Sequence, residues 1–495
     1  MANCQYGFDT AAVAGFQAMT GFLQVFGYKD PTRPSGYNIH TKPQQLISSF
    51  LNVGTIIGTI LTGPFAHRFG RKPAIWLACV VSLVACGVQV GSTSLGGLYA
   101  GRIILGLSNG FFITFSNVYA VEAAPPHLRG ILVSFFGFWV NIGSILGAVA
   151  DNYTKNKINK LSYQIPLASL FAIPTLLAFF MIFVPESPRW LLLQGREAEA
   201  RHSLERLRGT SLTPDLLDEE FVEMQRGIEE EKELSGSASL YDMFKGTDLR
   251  RTFLCVIAIA SHAASGIWFI ISYGTFFFQV ANIANPFQAS ILSNVMGFAG
   301  VLVGMYLTQN LFGRRPMMMI GSAGCAACML AIAVAYTVSP NSQAAGRALV
   351  GFALMFNFFY NGFVGTISWP VAGEIVSSRL RVLTMGLSTG VNYFFNWLIS
   401  YCSPYFLNTT DLNWGPKYGY IWAGSNLICL VVFFLFIPEM KGRSLEEVDE
   451  MFQNRVPRRQ FPKYQCVSSE RAREMTVKHT DENKEGAVQI ENAQV

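Results

Sequence analysis

Charge is scarce in this sequence. Only 14% of its 495 residues are Asp, Glu, Lys or Arg, while 51% are hydrophobic. A soluble globular chain carries about 25% charged residues, so a water-facing surface for this length is excluded. The little charge there is clusters: residues 185–250 and 438–495 hold 45 of the 69 charged side chains. Metal-ligating residues are few too. There are six His, and the nine Cys fall mostly inside apolar stretches. Cys325-Ala-Ala-Cys328 lies in such a stretch and lacks further ligands, so packing is expected there rather than a metal site. A secreted disulfide framework is not supported. No glycine-rich phosphate loop is present, which argues against an ATP-driven pump. No cofactor site and no catalytic constellation appear, so an enzyme is not expected. The net charge of +5 is spread over short loops and offers no nucleic-acid surface. No cleavable leader pattern precedes the first apolar run.

What the sequence does have is apolar runs of membrane length. About 20 apolar residues at ~1.5 Å each cross a hydrocarbon core of roughly 30 Å. Such runs lie near 4–26, 44–66, 74–93, 96–121, 130–150, 163–184, 252–279, 287–309, 317–338, 345–373, 382–406 and 418–437. They predict twelve helices in two groups of six, an all-α membrane protein. Small residues recur inside them, as in "GTIIGTILTG" and "GFAGVLVG", which suits close helix approach in lipid.

The chain also repeats itself. "FGRKP" at 69–73 returns as "FGRRP" at 312–316. "GRIILG" at 101 returns as "GRALVG" at 346. Glu122 precedes Arg129 by seven residues, as Glu374 precedes Arg381. "PESPRW" at 185 is matched by "PEMKGR" at 438. Strings matched in one order mean two homologous six-helix halves, the mark of secondary transporters. The expected division is an N-terminal six-helix domain (1–184), a cytoplasmic helical linker (185–250), a C-terminal six-helix domain (251–437) and a tail (438–495) that is largely disordered after about 455. Loop cations Arg68, Arg71, Lys72, Arg314, Arg315, Arg379 and Arg381 fall on one side, which positive-inside bias makes cytoplasmic. Both termini then lie inside, and the sequons at Asn152 and Asn408 outside.

With "GFDT" (7–10), "RFGRK" (68–72), "EAAPPHLRG" (122–130), "PESPRWL" (185–191), "LFGRRP" (311–316), "GEIVSSRLR" (373–381) and "PEMKGRSLEE" (438–447), the chain resembles the sugar porters of the major facilitator superfamily, the fungal ones among them. The resemblance spans nearly the whole chain. It implies two domains rocking about a central sugar site in a plasma membrane, working as a monomer, with a small sugar and a proton as partners. Departures are equally plain. His67 and Asn310 stand where the family has an acid, Leu311 where it has Arg, and Met440 where it has Thr. Only six residues precede Gly7, against a tail and a longer apolar run in relatives, which points to an upstream start or a truncated reading.

Charges within the spans are few. Asp9 and Arg102 lie within the spans, where an ionised group is costly unless it pairs or faces water, and the resemblance implies that they are partners. In the sugar porters an Asp at the "GFDT" position marks proton-coupled members, which makes Asp9 and Arg102 the expected proton-coupling pair. A static ion pair is the plainer alternative. Arg71, Glu122, Arg129, Arg314, Glu374 and Arg381 are expected to form a cytoplasmic gate, with bidentate pairs between the halves. Charge that only sets topology is the alternative there. Asn392 and Asn396, four apart, share one helix face. The resemblance places that face on the sugar, together with Trp369, Tyr273 and His262. His262 and Ala263 replace a family glutamine pair, Trp268 replaces an Asn, and Gly137 and Phe298 replace further polar residues, so a different hydrogen-bond map is expected. The expected function is sugar transport by alternating access, coupled to proton entry. A non-transporting sugar sensor of the same fold and a passive facilitator are the alternatives, the latter disfavoured by Asp9.

Overall fold

The computed structural model describes residues 1–31, 36–125, 129–209, 214–236, 239–281, 283–340, 342–408, 410–443, 445–464 and 466. The side chains of 129–134, 214, 230–236, 309, 378 and 446 lie outside that description. The helices run in the predicted order. The first group comprises α1 (Ala2–Phe16), α2 (Thr20–Phe26), α3 (Thr41–Phe69), α4 (Arg71–Gly91), α5 (Leu95–Ala123), α6 (Arg129–Thr154), α7 (Leu161–Ser169) and α8 (Ala172–Phe183). Three helices form the linker: α9 (Pro188–Leu193), α10 (Glu197–Arg208) and α11 (Pro214–Gly236). The second group comprises α12 (Gly246–Ala264), α13 (Ile267–Val280), α14 (Pro286–Asn310), α15 (Arg314–Val338), α16 (Gln343–Phe359), α17 (Ser368–Ile375), α18 (Arg381–Leu407) and α19 (Gly419–Phe436), followed by α20 (Leu445–Gln453). A two-residue hairpin pairs Tyr28 with Asn38 after α2. Among the described residues nine stretches are long and apolar enough to cross a bilayer, and α1–α2, α6 and α18 run alongside them.

Four of the twelve predicted runs are broken helices. The first breaks between α1 and α2, where the Gln17 amide donates to the Val13 carbonyl and to Ser48. The sixth breaks between α7 and α8. The seventh breaks at Gly266, whose φ of +84° ends α12, and Asn426 donates to the freed carbonyl of Ser265. The tenth passes through a π segment, Tyr360–Gly365, between α16 and α17. Broken backbone at membrane depth is tolerated where it is buried in protein or lines a cavity. Apolar spacing cannot reveal such breaks, because both pieces keep the same composition.

Small residues set the spacing between spans. A Cβ on Gly7 of α1 would meet the Val140 carbonyl of α6 at 1.9 Å, and one on Gly143 would meet Cys4 of α1 at 2.1 Å. The same holds for Gly54 of α3 against Ile103, at 2.2 Å. Backbones this close pack by dispersion, which drives helix association in lipid. Packing cores form largely within each group, around Phe22 and Phe112 in the first and around Phe277 and Met317 in the second, while Phe287 of α14 reaches across to join the Phe22 core.

The linker is helical as expected, and the buried face of α10 is Ala200, Ser203, Leu204 and Arg208. Order also extends beyond the expected limit near 455. Val456 and Phe461 are buried against Met451 and Phe452, and Arg443 donates to the carbonyls of Phe461 and Tyr464. Apolar residues spaced through a polar stretch are enough to seat it on the second group. The residues after 466 lie outside the described ones.

Candidate functional site

The repeated "GR" strings build the same device twice. At the start of α4, the Glu186 carboxylate accepts the backbone N–H groups of Arg71 (3.1 Å) and Lys72 (3.1 Å). At the start of α15, Glu439 accepts those of Arg314 (3.0 Å) and Arg315 (3.1 Å). A helix N-terminus leaves such donors unpaired and carries partial positive charge, so an acid from the end of the sixth or twelfth span completes it. The glycine follows from this. Gly70 has φ +93°, and a Cβ there would lie 2.6 Å from Oε2 of Glu186; on Gly313 it would lie 2.2 Å from Oε2 of Glu439.

The arginine side chains turn inward to the fourth and tenth spans. Arg71 meets Glu122 through two bonds, Nε at 2.9 Å and Nη2 at 2.7 Å. Ser187 adds a third, its Oγ donating to Glu122 Oε2 at 2.6 Å. The second copy is looser. Arg314 reaches Glu374 through Nη2 alone, at 3.0 Å, and Oε2 of Glu374 has no partner among the described residues. Met440 occupies the repeat position of Ser187 and has no hydroxyl to give. Both pairs join helices of one group, not the two groups as expected. The Arg71 and Arg314 side chains lie beneath the acid-capped N-terminus of their own helix, which directs them to the neighbouring span. Arg381 has buried Nε and Nη2 atoms without a described partner, and the Arg129 side chain lies outside the described residues. Arg379 instead meets linker residues Asp242 (3.4 Å) and Asp248 (3.6 Å).

Asp9 and Arg102 do come together. Arg102 Nη1 lies 2.7 Å from Asp9 Oδ1, and its Nε donates to the Ile47 carbonyl at 3.1 Å. Asp9 is 0% and Arg102 1% exposed. Arg102 also borders a narrow cleft between the groups, together with Thr10, Ser48, Asn52, Trp268 and Asn396. Of the residues expected to meet a sugar, the cleft includes Asn396 and not the others. Asn392, one turn away on α18, is buried with Oδ1 unpartnered among the described residues. Both ring nitrogens of His262 are engaged, Nδ1 with Tyr360 Oη (2.5 Å) and Nε2 with Ser368 Oγ (2.5 Å). Trp369 packs against that ring, centroids 5.8 Å apart. Tyr273 donates to the Ser400 carbonyl at 2.6 Å and to the Gln44 carbonyl at 3.4 Å, which joins the groups beside the cleft. Asn52 is a lining group that sequence reasoning did not single out, and Trp268, which stands where the family has an Asn, lines the cleft with an indole N–H unpartnered among the described residues. A lone Asn in the apolar run of α3 was the available signal.

The bonds between the groups gather where α3 begins and α18 ends. Asn52 donates to Ser400 (3.1 Å), and Asn396 donates to Asn52 (3.1 Å). Farther along, Asn408 donates to Thr41 (2.9 Å) and Gln44 (3.0 Å), and Thr41 donates to Asp411.

Two repeated six-span groups, a polar cleft between them and a buried ion pair at its edge define a secondary transporter of the major facilitator type. Residues 1–452 match the family model described as "Sugar (and other) transporter", and the chain belongs to that family. It is 30% identical over 474 residues to the major facilitator-type transporter ecdD of Aspergillus rugulosus, covering 93% of this chain and 87% of that one. It is 29% identical over 462 residues to the hexose transporter HXT10 of Saccharomyces cerevisiae, covering 91% and 83%. The high glucose sensor RGT2 of the same yeast is 29% identical over 456 residues, covering 90% of this chain and 59% of that one. Among solved structures, the inward-open xylose transporter XylE from E. coli matches with a TM-score of 0.72 at 22% identity, covering 90% of this chain and 97% of that one.

Proposed function

We propose that the chain carries a small sugar across the plasma membrane by alternating access and couples it to proton entry through Asp9. The domains are 1–184 and 251–437, joined by the cytoplasmic linker 185–250, with both termini in the cytoplasm. The observation that carries the reading is the Asp9–Arg102 pair at the rim of the cleft. As a carboxylate, Asp9 holds Arg102. Once protonated it releases the guanidinium toward the cleft, so proton and sugar occupancy are linked through one side chain. Asn396, Asn392 and Trp268 supply neutral donors and acceptors for hydroxyls, and the apolar walls suit the C–H faces of a sugar. With the outer hydrogen bonds in place the state is closed outside. Arg71–Glu122 and Arg314–Glu374 brace each domain, and with Arg129 and Arg381 they form the surface that the domains present to each other when the cytoplasmic side closes. His262 and Tyr273 act behind the sugar, by holding α12 and α13 in place. The relatives named as hexose transporters and the solved structure titled as a proton:xylose symporter support this class of substrate.

One proton moving down about 100 mV supplies ~2.3 kcal/mol, enough for roughly a 50-fold sugar gradient. Uptake of radiolabelled glucose and xylose in a transporter-null yeast, with and without a protonophore, tests the reading. Accumulation abolished by the protonophore is expected. Uptake that only equilibrates identifies a facilitator, and no uptake from an expressed chain identifies a sensor. Asp9→Asn should still exchange sugar across the membrane yet no longer concentrate it. A variant that accumulates like the parent removes Asp9 from the coupling role.

A further inference from the structure

A strip of buried polar side chains leads away from Asp9 inside the first group, and neither the ion pair nor the cleft uses it. On α5, Arg102, Asn109 and Ser116 recur every seven residues, two helical turns, so they share one face. On α1, Gln5 stands four residues before Asp9 and shares its face. The two faces are joined at both ends: Arg102 to Asp9 at 2.7 Å, and Ser116 Oγ to Asn3 Oδ1 at 3.2 Å, with Asn3 Nδ2 also donating to Asn117. The middle is therefore held across the same interface. There Gln5 donates to Ser82 of α4 at 3.3 Å. Gln5, Ser82 and Asn109 are all 0% exposed.

The middle of this strip has unmet bonding capacity. Oε1 of Gln5, both Oδ1 and Nδ2 of Asn109, and Oδ2 of Asp9 lack partners among the described residues. Leaving a buried polar group unpaired costs about 1–3 kcal/mol. Leu or Met would fill the same space without that penalty. Several such atoms along two facing helix faces, at least one a donor and the others acceptors, are the surroundings that buried water needs. The titratable neighbours of Asp9 are Tyr6 on α1, Cys86 on α4 and Arg102 on α5. None is a second carboxylate to receive its proton. From Asp9 the strip runs toward Asn3, at the end of the bundle that carries the linker.

We propose that Gln5, Asn109 and Ser82 hold a short file of water through which the proton of Asp9 leaves for the cytoplasm. This rests on the proton-coupled reading above. The O–H bond of the Asp9 carboxyl breaks, its proton passes to the first water, each water hands one proton onward, and the last releases one beside Asn3 and Ser116. The carboxylate left behind re-forms its pair with Arg102. Gln5 and Asn109 orient the waters and do not themselves change protonation.

The test uses the full chain purified into proteoliposomes, with a trapped pH dye and radiolabelled glucose or xylose, whichever the parent accumulates. Asn109→Leu and Gln5→Met keep the volume and remove the polar atoms. Net sugar-driven proton uptake should fall about tenfold or more, equivalent to ~1.4 kcal/mol on the step. Sugar exchange at equal concentrations, which does not require the proton to leave, should stay close to the parent. The solvent deuterium effect on net uptake should rise, because proton exit becomes limiting. Asn109→Ser, which returns a hydroxyl, should recover most of the loss. If Asn109→Leu also loses exchange, the recovery by Asn109→Ser decides, and no recovery overturns the proposal. Net uptake in the Leu and Met variants equal to the parent overturns the route but leaves Asp9 coupling intact. A parent with no sugar-driven proton uptake overturns both.

Discussion

Gly70 and Glu186 are fitted to each other: the glycine's missing Cβ would stand 2.6 Å from the carboxylate oxygen that accepts the N–H of Lys72. Gly70 also has a positive φ of 93°, whereas Gly313 has φ −78° and meets only the steric demand. Gly70→Ala should therefore destabilise the protein by about 1–3 kcal/mol through backbone strain as well as crowding. Gly313→Ala should be milder, since only the Glu439 side chain has to shift. Thermal unfolding in detergent reads both, and equal losses would contradict the distinction.

The two copies of the Arg–Glu contact should differ in strength. Arg71–Glu122 is bidentate and supported by Ser187, while Arg314–Glu374 is a single bond in a more exposed setting. Double-mutant cycles should give a coupling of roughly 1–3 kcal/mol for the first, as for a partly buried charge-assisted pair, and below about 1 kcal/mol for the second. Ser187→Ala should reduce the first coupling and leave the second alone.

Removing one member of the buried pair should harm folding more than removing both. Arg102→Leu leaves the Asp9 carboxylate without its guanidinium, a loss of about 3–5 kcal/mol when a buried charge is stranded. Adding Asp9→Asn to Arg102→Leu should recover much of the yield and thermal stability. A double variant no better than Arg102→Leu would mean that Arg102 acts mainly through its bond to Ile47.

The two sequons should behave differently. Asn408 is 1% exposed and spends its amide on Thr41 and Gln44, whereas Asn152 is half-buried and accepts only from Lys155. A glycan on Asn408 is incompatible with this state. Endoglycosidase treatment should shift the chain's mobility unless Asn152 is changed to Gln, and Asn408→Gln should leave that shift unaltered.

Much of this was legible beforehand because membrane helices advertise themselves. The twelve runs follow from where charge is absent, the repeat from strings matched in one order, and the Asp9–Arg102 pairing from the resemblance. The partners of Glu186 and Glu439 were not legible: they are backbone amides, which every residue but proline carries and no sequence marks. The occupied nitrogens of His262 depend on Tyr360 and Ser368, about a hundred residues away, the first opening a π segment and the second lying just beyond it. The route of Arg71 and Arg314 to their own group depends on helix neighbours, while spacing reveals only that two copies exist. The seated tail was missed because a few apolar residues in a polar stretch give too weak a signal.

The internal placement of the Arg–Glu pairs bears on how steep the cycle is. Contacts that stay within a rigid body are carried along and need not be ruptured when the bodies turn. In this state the contacts between the groups near the start of α3 and the end of α18 come mostly from neutral side chains, Asn52, Ser400, Asn408 and their partners, each worth about 0.5–1.5 kcal/mol. Neutral contacts of that size are scarcely screened by salt, unlike exposed ion pairs. On the proposed reading, a carrier latched in this way keeps its turnover nearly constant across ionic strength, and the opening of this end is governed by competition with water and with sugar hydroxyls for the same few amides.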